Sequence, residues 1–282
     1  MPAMIIDCHT HIFPPDVRDR REEYLRRDPT FAEMYANPKA KIATAADLLR
    51  SMDEAHVDLS VALGFAWREH ELCLRHNDYL LESAANSSGR IALFCTINMG
   101  AAGAETEIER CARGGARGLG ELRPESQGWD LNGEAGERLA ALAQRRNLIL
   151  LFHVTEPVGH GYPGKQGLRL ESFYRFCAQW PSLRIVGAHL GGGLPFYGAM
   201  PEVSEGPAPL YIDTAAQPLL YERRVFAEAM ALGGAERLLL GSDFPLISQE
   251  RQIEEVRAGI ADEEALRLAL GGNAARLLGL AG

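Results

Sequence analysis

The sequence predicts an α/β fold, a (β/α)8 barrel, and three observations predict it. Short apolar runs of strand length alternate with stretches whose apolar residues recur at helical spacing. Eight such units fit into 282 residues, a size usual for one barrel of this kind. No glycine-rich phosphate-binding fingerprint follows the first strand, which argues against an open doubly wound sheet.

The strand runs are 4–8, 58–64, 90–97, 116–121, 148–154, 183–189, 209–214 and 237–242. Most are apolar on both faces, as strands covered by helices must be. Helical spacing fills 44–56, 71–88, 104–114, 134–146, 168–180, 218–233 and 249–259, and a last stretch covers 262–278. Thr44 followed by Asp47 has the form of a capping box at the start of the first helix. The link between the sixth and seventh runs shows no clear helix. Three connections, 12–43, 155–167 and 190–208, exceed a plain turn, and all follow a strand C-terminus. That is the functional rim of a barrel, so they are expected to wall or cover a site. No repeat or linker divides the chain, which reads as one domain over 1–282.

Charge and composition narrow the partners. With 29 Lys+Arg against 38 Asp+Glu, the net charge is −9, a field that repels nucleic acid and anionic membranes. No apolar run approaches a membrane span of about 20 residues, and the start carries no signal-peptide pattern. Five cysteines without a CxxC pair read as reduced thiols, so a cytoplasmic protein is expected.

The chemistry-bearing residues sit at strand ends. His9 and His11 close the first strand, and alternation would point both to one side and Cys8 to the other. An HxH pair alone does not define a metal site, since chance pairs and hydrogen-bonded core histidines have the same form. Glu121, His153, His189 and Asp243, however, occupy the same relative place on the fourth, fifth, sixth and eighth strands. In a barrel these ends converge on one mouth. Six such residues around one cavity fit a metal site far better than six unrelated buried polar groups.

The segments DCHTHIFP (7–14), GAHLGG (187–192), GSDFP (241–245) and GGNAARLLGL (271–280) resemble the amidohydrolase superfamily, in its amidohydrolase-related branch. That branch includes non-oxidative decarboxylases. The resemblance runs from residue 7 to 280 and implies a distorted TIM barrel with its metal at the strand C-termini. It matches His9, His11, His153 and Asp243 to the ligands of the buried metal. His189 matches a catalytic hydrogen-bond partner, or a second-metal ligand in two-metal members. Glu121 stands where two-metal relatives bridge their ions, so it is either a ligand or an orienting group.

The expected cofactor is one divalent ion, with a second as the alternative. Zinc suits the nitrogen-rich set, and manganese or iron could replace it. The metal would lower the pKa of a bound water, Asp243 would take its proton, and His189 would polarise the scissile bond. The first expectation is therefore a hydrolase of an amide, ester or lactone in a small molecule. The alternative is a non-oxidative decarboxylase of a small carboxylic acid, and a TatD-like phosphodiesterase comes third. Arg123, His160, Tyr162 and Lys165 are the candidate substrate-binding residues, with Glu156 in the same polar cluster. Trp67, Trp129, Phe196 and Tyr197 also follow strand ends and could wall the site, but each taken alone reads as plain packing. His56, His70 and His76 read as structural. No organic cofactor motif is present, and pairing into a homo-oligomer is compatible with the fold.

Overall fold

The computed structural model describes residues 4–165, 167–204 and 210–280. Gln166 of the second long connection, residues 205–208 of the third and Pro209 at the start of the seventh run lie outside the described residues.

Eight parallel strands follow one another around the sheet in chain order. They are β1 (Ile6–His11), β2 (Leu59–Leu63), β3 (Ile91–Cys95), β4 (Gly118–Leu122), β5 (Ile149–Phe152), β6 (Ile185–Gly187), β7 (Leu210–Asp213) and β8 (Leu238–Leu239). Backbone bonds from Cys8 to Leu240, from His11 to Phe244 and from Asp243 to His9 tie the end of β8 back to β1. The result is a TIM-type barrel, as the alternation predicts.

Two apolar layers hold it. One lies between strands and surrounding helices, where Leu93, Leu119, Leu150 and Ile212 meet helical residues such as Leu48, Leu80 and Ile108. The other is built mainly of strand side chains and the last helix: Ile6, Val61, Leu151 and Leu239 pack with Leu277 and Leu278. The stretch 262–278 thus fills one end of the barrel, leaving the opposite, C-terminal end for a site. It is built as Glu263–Arg267, a wide π-type turn at Leu268–Gly272, and Asn273–Leu278. The capping box forms at Thr44 and Asp47.

Some expectations change in detail. The 218–233 stretch is two helices, Gln217–Leu220 and Val225–Gly233. The 12–43 connection carries three short helices, Pro15–Asp19, Arg21–Arg27 and Pro29–Tyr35. Its aromatic residues Phe13, Tyr24, Phe31 and Tyr35 form a core of their own with Phe65 and Trp67. Proline and charge mark it as a loop in sequence, while its folding depends on contacts with residues more than thirty positions away.

Strict alternation also fails on β1. The pairing register shifts between Asp7 and Thr10. Cys8 packs inside the barrel with Ile6 and Val61 rather than on the side away from the site's axis. Its neighbour Asp7 turns outward to Gln249 of the helix Gln249–Gly259. A bulge lets two successive residues break the two-residue period, so His9 still reaches the mouth. Cys8 is packing, as expected, but on the opposite face.

Candidate metal centre and cavity

The six strand-end residues meet. His9 and His11 bring their Nε2 atoms to 3.2 Å. Glu121 lies 3.7 Å from His9 Nε2 and 3.6 Å from His11 Nε2. Asp243 stands 3.6 Å from His9 and 3.4 Å from His11. His189 Nε2 lies 3.8 Å from Asp243 and 3.9 Å from Glu121. All are buried apart from Asp243, which is partly so.

The donor chemistry fits a cation. Two nitrogen ligands at about 2.1 Å on a tetrahedral ion are about 3.4 Å apart, close to the spacing found here. Three overlapping trios bring one ligand atom each within 4.8 Å of one another: His9–His11–Glu121, His9–His189–Asp243 and Glu121–His153–His189. His153 stands slightly aside. Its Nδ1 is 2.8 Å from Glu121, and its Nε2–H donates to the Gly164 carbonyl at 2.9 Å.

The sequence reading missed Asp213 at the end of β7. His9 Nδ1–H donates to its Oδ2 at 2.8 Å, and the His189 amide donates to its Oδ1 at 3.0 Å. One carboxylate thus orients the imidazole of His9 and the backbone of His189. Its signal was available, since it closes its strand as the other site residues do. Gly241 makes the approach possible: a Cβ there would lie 2.9 Å from His9 Cβ and 3.2 Å from Asp213 Cβ.

His189 opens an unusual turn. His189, Leu190, Gly191, Gly192 and Gly193 all have positive φ, from 55° to 84°. Glycine enters that region freely, whereas a residue with a Cβ pays about 1–2 kcal/mol. The glycines after His189 therefore carry most of a left-handed turn, and the hydrogen bond to Asp213 helps hold its first residue.

Electrostatics separate the histidines. Burial disfavours charge on His9, yet Asp213, Glu121 and Asp243 outweigh it and raise its pKa to about 10. Burial and the charge on His9 lower that of His11. Without a metal, His9 Nε2–H can donate to His11 Nε2, so a proton occupies the place between them. His189 is also raised: Asp243 and Glu121 overcome its burial. Burial would raise Asp243 and Glu121, but the surrounding histidines hold both below their usual range.

A cavity of about 530 Å³ opens on these donors. His11, Glu121, His153, His189 and Asp243 form its polar end. Tyr35, Phe65, Leu219, Leu220 and Leu246 give it apolar walls. Of the substrate-binding candidates, His160 and Tyr162 line it. Lys165 lines a neighbouring cavity instead, its amine donating to the carbonyls of Val158 and His160 at 2.6 and 2.8 Å. Glu156 accepts from the Tyr162 hydroxyl at 3.0 Å.

Arg123 does not line the cavity. It is buried, donates to the Gly164 carbonyl at 3.1 Å and pairs with Glu33 at 3.5 Å. It ties the 155–167 connection to the helix Pro29–Tyr35, and the same Gly164 carbonyl receives His153. Trp67 and Trp129 are core residues, and Phe196 packs near Tyr221. His56 caps a helix in a left-handed conformation, and His70 begins one. His76 is buried: Phe65 N–H and Trp67 Nε1–H donate to its Nδ1, and its Nε2–H donates to the Ile12 carbonyl. Tyr35 and Phe65 are cavity residues that sequence reasoning missed. Among the described residues, no helix is long and apolar enough to cross a membrane.

Three solved structures show the same fold. The 5-carboxyvanillate decarboxylase LigW from Sphingomonas paucimobilis has a TM-score of 0.78 at 18% identity, covering 98% of this chain and 99% of that one. The 2,6-dihydroxybenzoate decarboxylase from Rhizobium has a TM-score of 0.72 at 17% identity, with 99% of each chain covered. A 5-carboxyvanillate decarboxylase from Novosphingobium aromaticivorans, holding manganese and 3-methoxy-4-hydroxy-5-nitrobenzoic acid, has a TM-score of 0.79 at 15% identity, covering 99% and 97%. These neighbours are decarboxylases, not the hydrolases placed first from sequence, and the metal named in the last is manganese rather than zinc. No curated protein matches the chain in sequence. The family model for the amidohydrolases matches residues 6–280, and the chain belongs to that family.

Proposed function

We propose that this protein is a metal-dependent non-oxidative decarboxylase of a small aromatic carboxylic acid. One observation carries the reading: the histidine–carboxylate cluster forms one end of a cavity whose walls are aromatic and aliphatic. A flat apolar ring suits those walls, and its carboxylate suits the polar end. The likeness in fold to three decarboxylases supports the same choice over hydrolysis.

His9, His11, His153, Glu121 and Asp243 are the residues that would hold the ion, with manganese or zinc as candidates. When bound, the metal supplies positive charge that anchors and orients oxygen atoms of the substrate. The chain's residues do the rest. Tyr35, Phe65 and Leu220 exclude water around the ring. His189 donates Nδ1–H to the Val154 carbonyl at 3.3 Å, leaving Nε2–H turned toward the cavity. Its neighbouring carboxylates keep it charged, so it can give up a proton. The bond between ring carbon and carboxyl carbon breaks, its electron pair stays on the ring carbon, and that carbon takes the proton. The products are carbon dioxide and the protonated ring.

The test is carbon dioxide release from hydroxybenzoic acids by manganese- and zinc-loaded protein under argon, alongside a panel of amides, esters and lactones in 18O-water. Release that is lost in His189→Asn supports the proposal. Turnover only in the second panel, with label in the product, would return the protein to hydrolysis.

A further inference from the structure

The chain contains three lysines, Lys39, Lys41 and Lys165, and every other basic residue except histidine is an arginine. Lys165 lines a neighbouring cavity that no metal donor reaches, and the other two line the cavity that meets the donors. Lys39 and Lys41 line the 530 Å³ cavity itself and are exposed, which sets them at its rim, while the metal donors at the other end are buried. Among the described residues, neither ammonium has a carboxylate within 4.0 Å, whereas Lys165 reaches Glu156 at 4.0 Å and two carbonyls. Two cations two residues apart at a cavity rim, on a chain of net charge −9, are an anion-binding arrangement.

We propose that Lys39 and Lys41 hold a second anionic group of the substrate, at the end away from the metal. The substrate class is then an aromatic acid with two anionic groups: a carboxylate at the histidine cluster and a further carboxylate at the lysine rim. The apolar walls between the two ends take the ring. Lysine suits this task because its ammonium is a compact charge on a flexible stem, not tied to one bidentate geometry. The inference rests on reading this cavity as the substrate site, and not on which bond is broken there.

The experiment is titration calorimetry of the manganese-loaded protein with two pairs of probes: isophthalate against benzoate, and 4-carboxycinnamate against cinnamate. The pairs differ in the span between their charges. At low ionic strength at least one dicarboxylate binds about tenfold more tightly than its partner. That advantage disappears in Lys39→Gln/Lys41→Gln, survives in Lys39→Arg/Lys41→Arg, and shrinks with added salt. The monocarboxylates bind all three proteins alike. If neither dicarboxylate is favoured, if neither binds, or if the advantage survives the glutamine pair, the inference is overturned. Preferential binding without carbon dioxide release would sink the decarboxylase reading alone.

Discussion

Asp213 accepts a hydrogen bond from His9 Nδ1–H at 2.8 Å, and this bond decides which nitrogen of His9 turns toward the candidate metal centre. With Nδ1 committed, only Nε2 can turn toward His11, Glu121 and Asp243. The second oxygen of Asp213 fixes the backbone where His189 begins its left-handed turn.

Asp213→Asn keeps the size of the side chain but can present an amide N–H to His9, which then favours the wrong tautomer. Losing such an orienting partner costs about 10–100-fold in metal affinity. A competition titration against a chelating dye measures it. Unchanged affinity would show that the carboxylate does not orient His9.

Metal uptake should expel a proton. His9 is held protonated up to about pH 10 in the metal-free protein, against an ordinary value of 6.5. Its contribution to metal-free stability is present in full below about 6.5 and is lost as pH rises through about 10. A metal ion at pH 7.5 must displace that proton, so affinity rises with pH over this range. Calorimetry in buffers of different ionisation enthalpy reads the number released, expected to be about one per ion. A buffer-independent heat would contradict it.

His76 works in the opposite direction. Its burial lowers its pKa from 6.5 to about 4, with its contact to the Ile12 carbonyl only partly opposing this. Its folded pKa lies below the unfolded one, so the unfolded state binds the proton first as pH falls. The stability it confers is present above about 6.5 and is lost between there and about 4. At about 1.4 kcal/mol per pH unit this amounts to about 3 kcal/mol. Urea unfolding of wild type and His76→Asn at pH 7 and pH 4.5 checks it: the wild type loses more. Parallel losses would assign the acid sensitivity elsewhere.

Gly192→Ala tests the turn after His189. The φ of Gly192 is 62°, and an added Cβ would meet Val154 Cγ1 at 2.8 Å and the Thr155 carbonyl oxygen at 2.9 Å. Strain and overpacking together should cost about 1–3 kcal/mol. Activity should fall more than metal content does, because His189 moves while His9 and His11 stay. Denaturant unfolding, with metal analysis on the same preparation, separates the two effects.

The barrel was legible because most strands are both-sides-apolar runs, a local signal that tertiary context does not overwrite. His9, His11, Glu121, His153, His189 and Asp243 were legible because topology gathers strand ends whatever the loops do. Arg123 went astray at the point where that logic stops. Two residues past Glu121 the two-residue period no longer applies, since β4 ends at Leu122 and the helix Pro124–Gln127 begins. Tyr35, Lys39 and Lys41 were hidden for a different reason. Nothing local says that 12–43 folds over the mouth, since its aromatic core closes against Phe65, Trp67, Leu72 and Cys73, which lie beyond it in sequence.

The scarcity of lysine makes the mouth chemically addressable. An amine-directed reagent finds three side chains in this protein, and two of them border the cavity that meets the metal donors. Acylation at a pH that frees lysine amines would label this mouth without any engineered cysteine, the native thiols all being buried, with the α-amine and Lys165 as the competing sites. A fluorophore attached at Lys39 or Lys41 would report occupancy of the cavity by its own quenching, and a resin coupled there would immobilise the protein with its entrance blocked. Immobilisation chemistry for this protein should accordingly avoid amines.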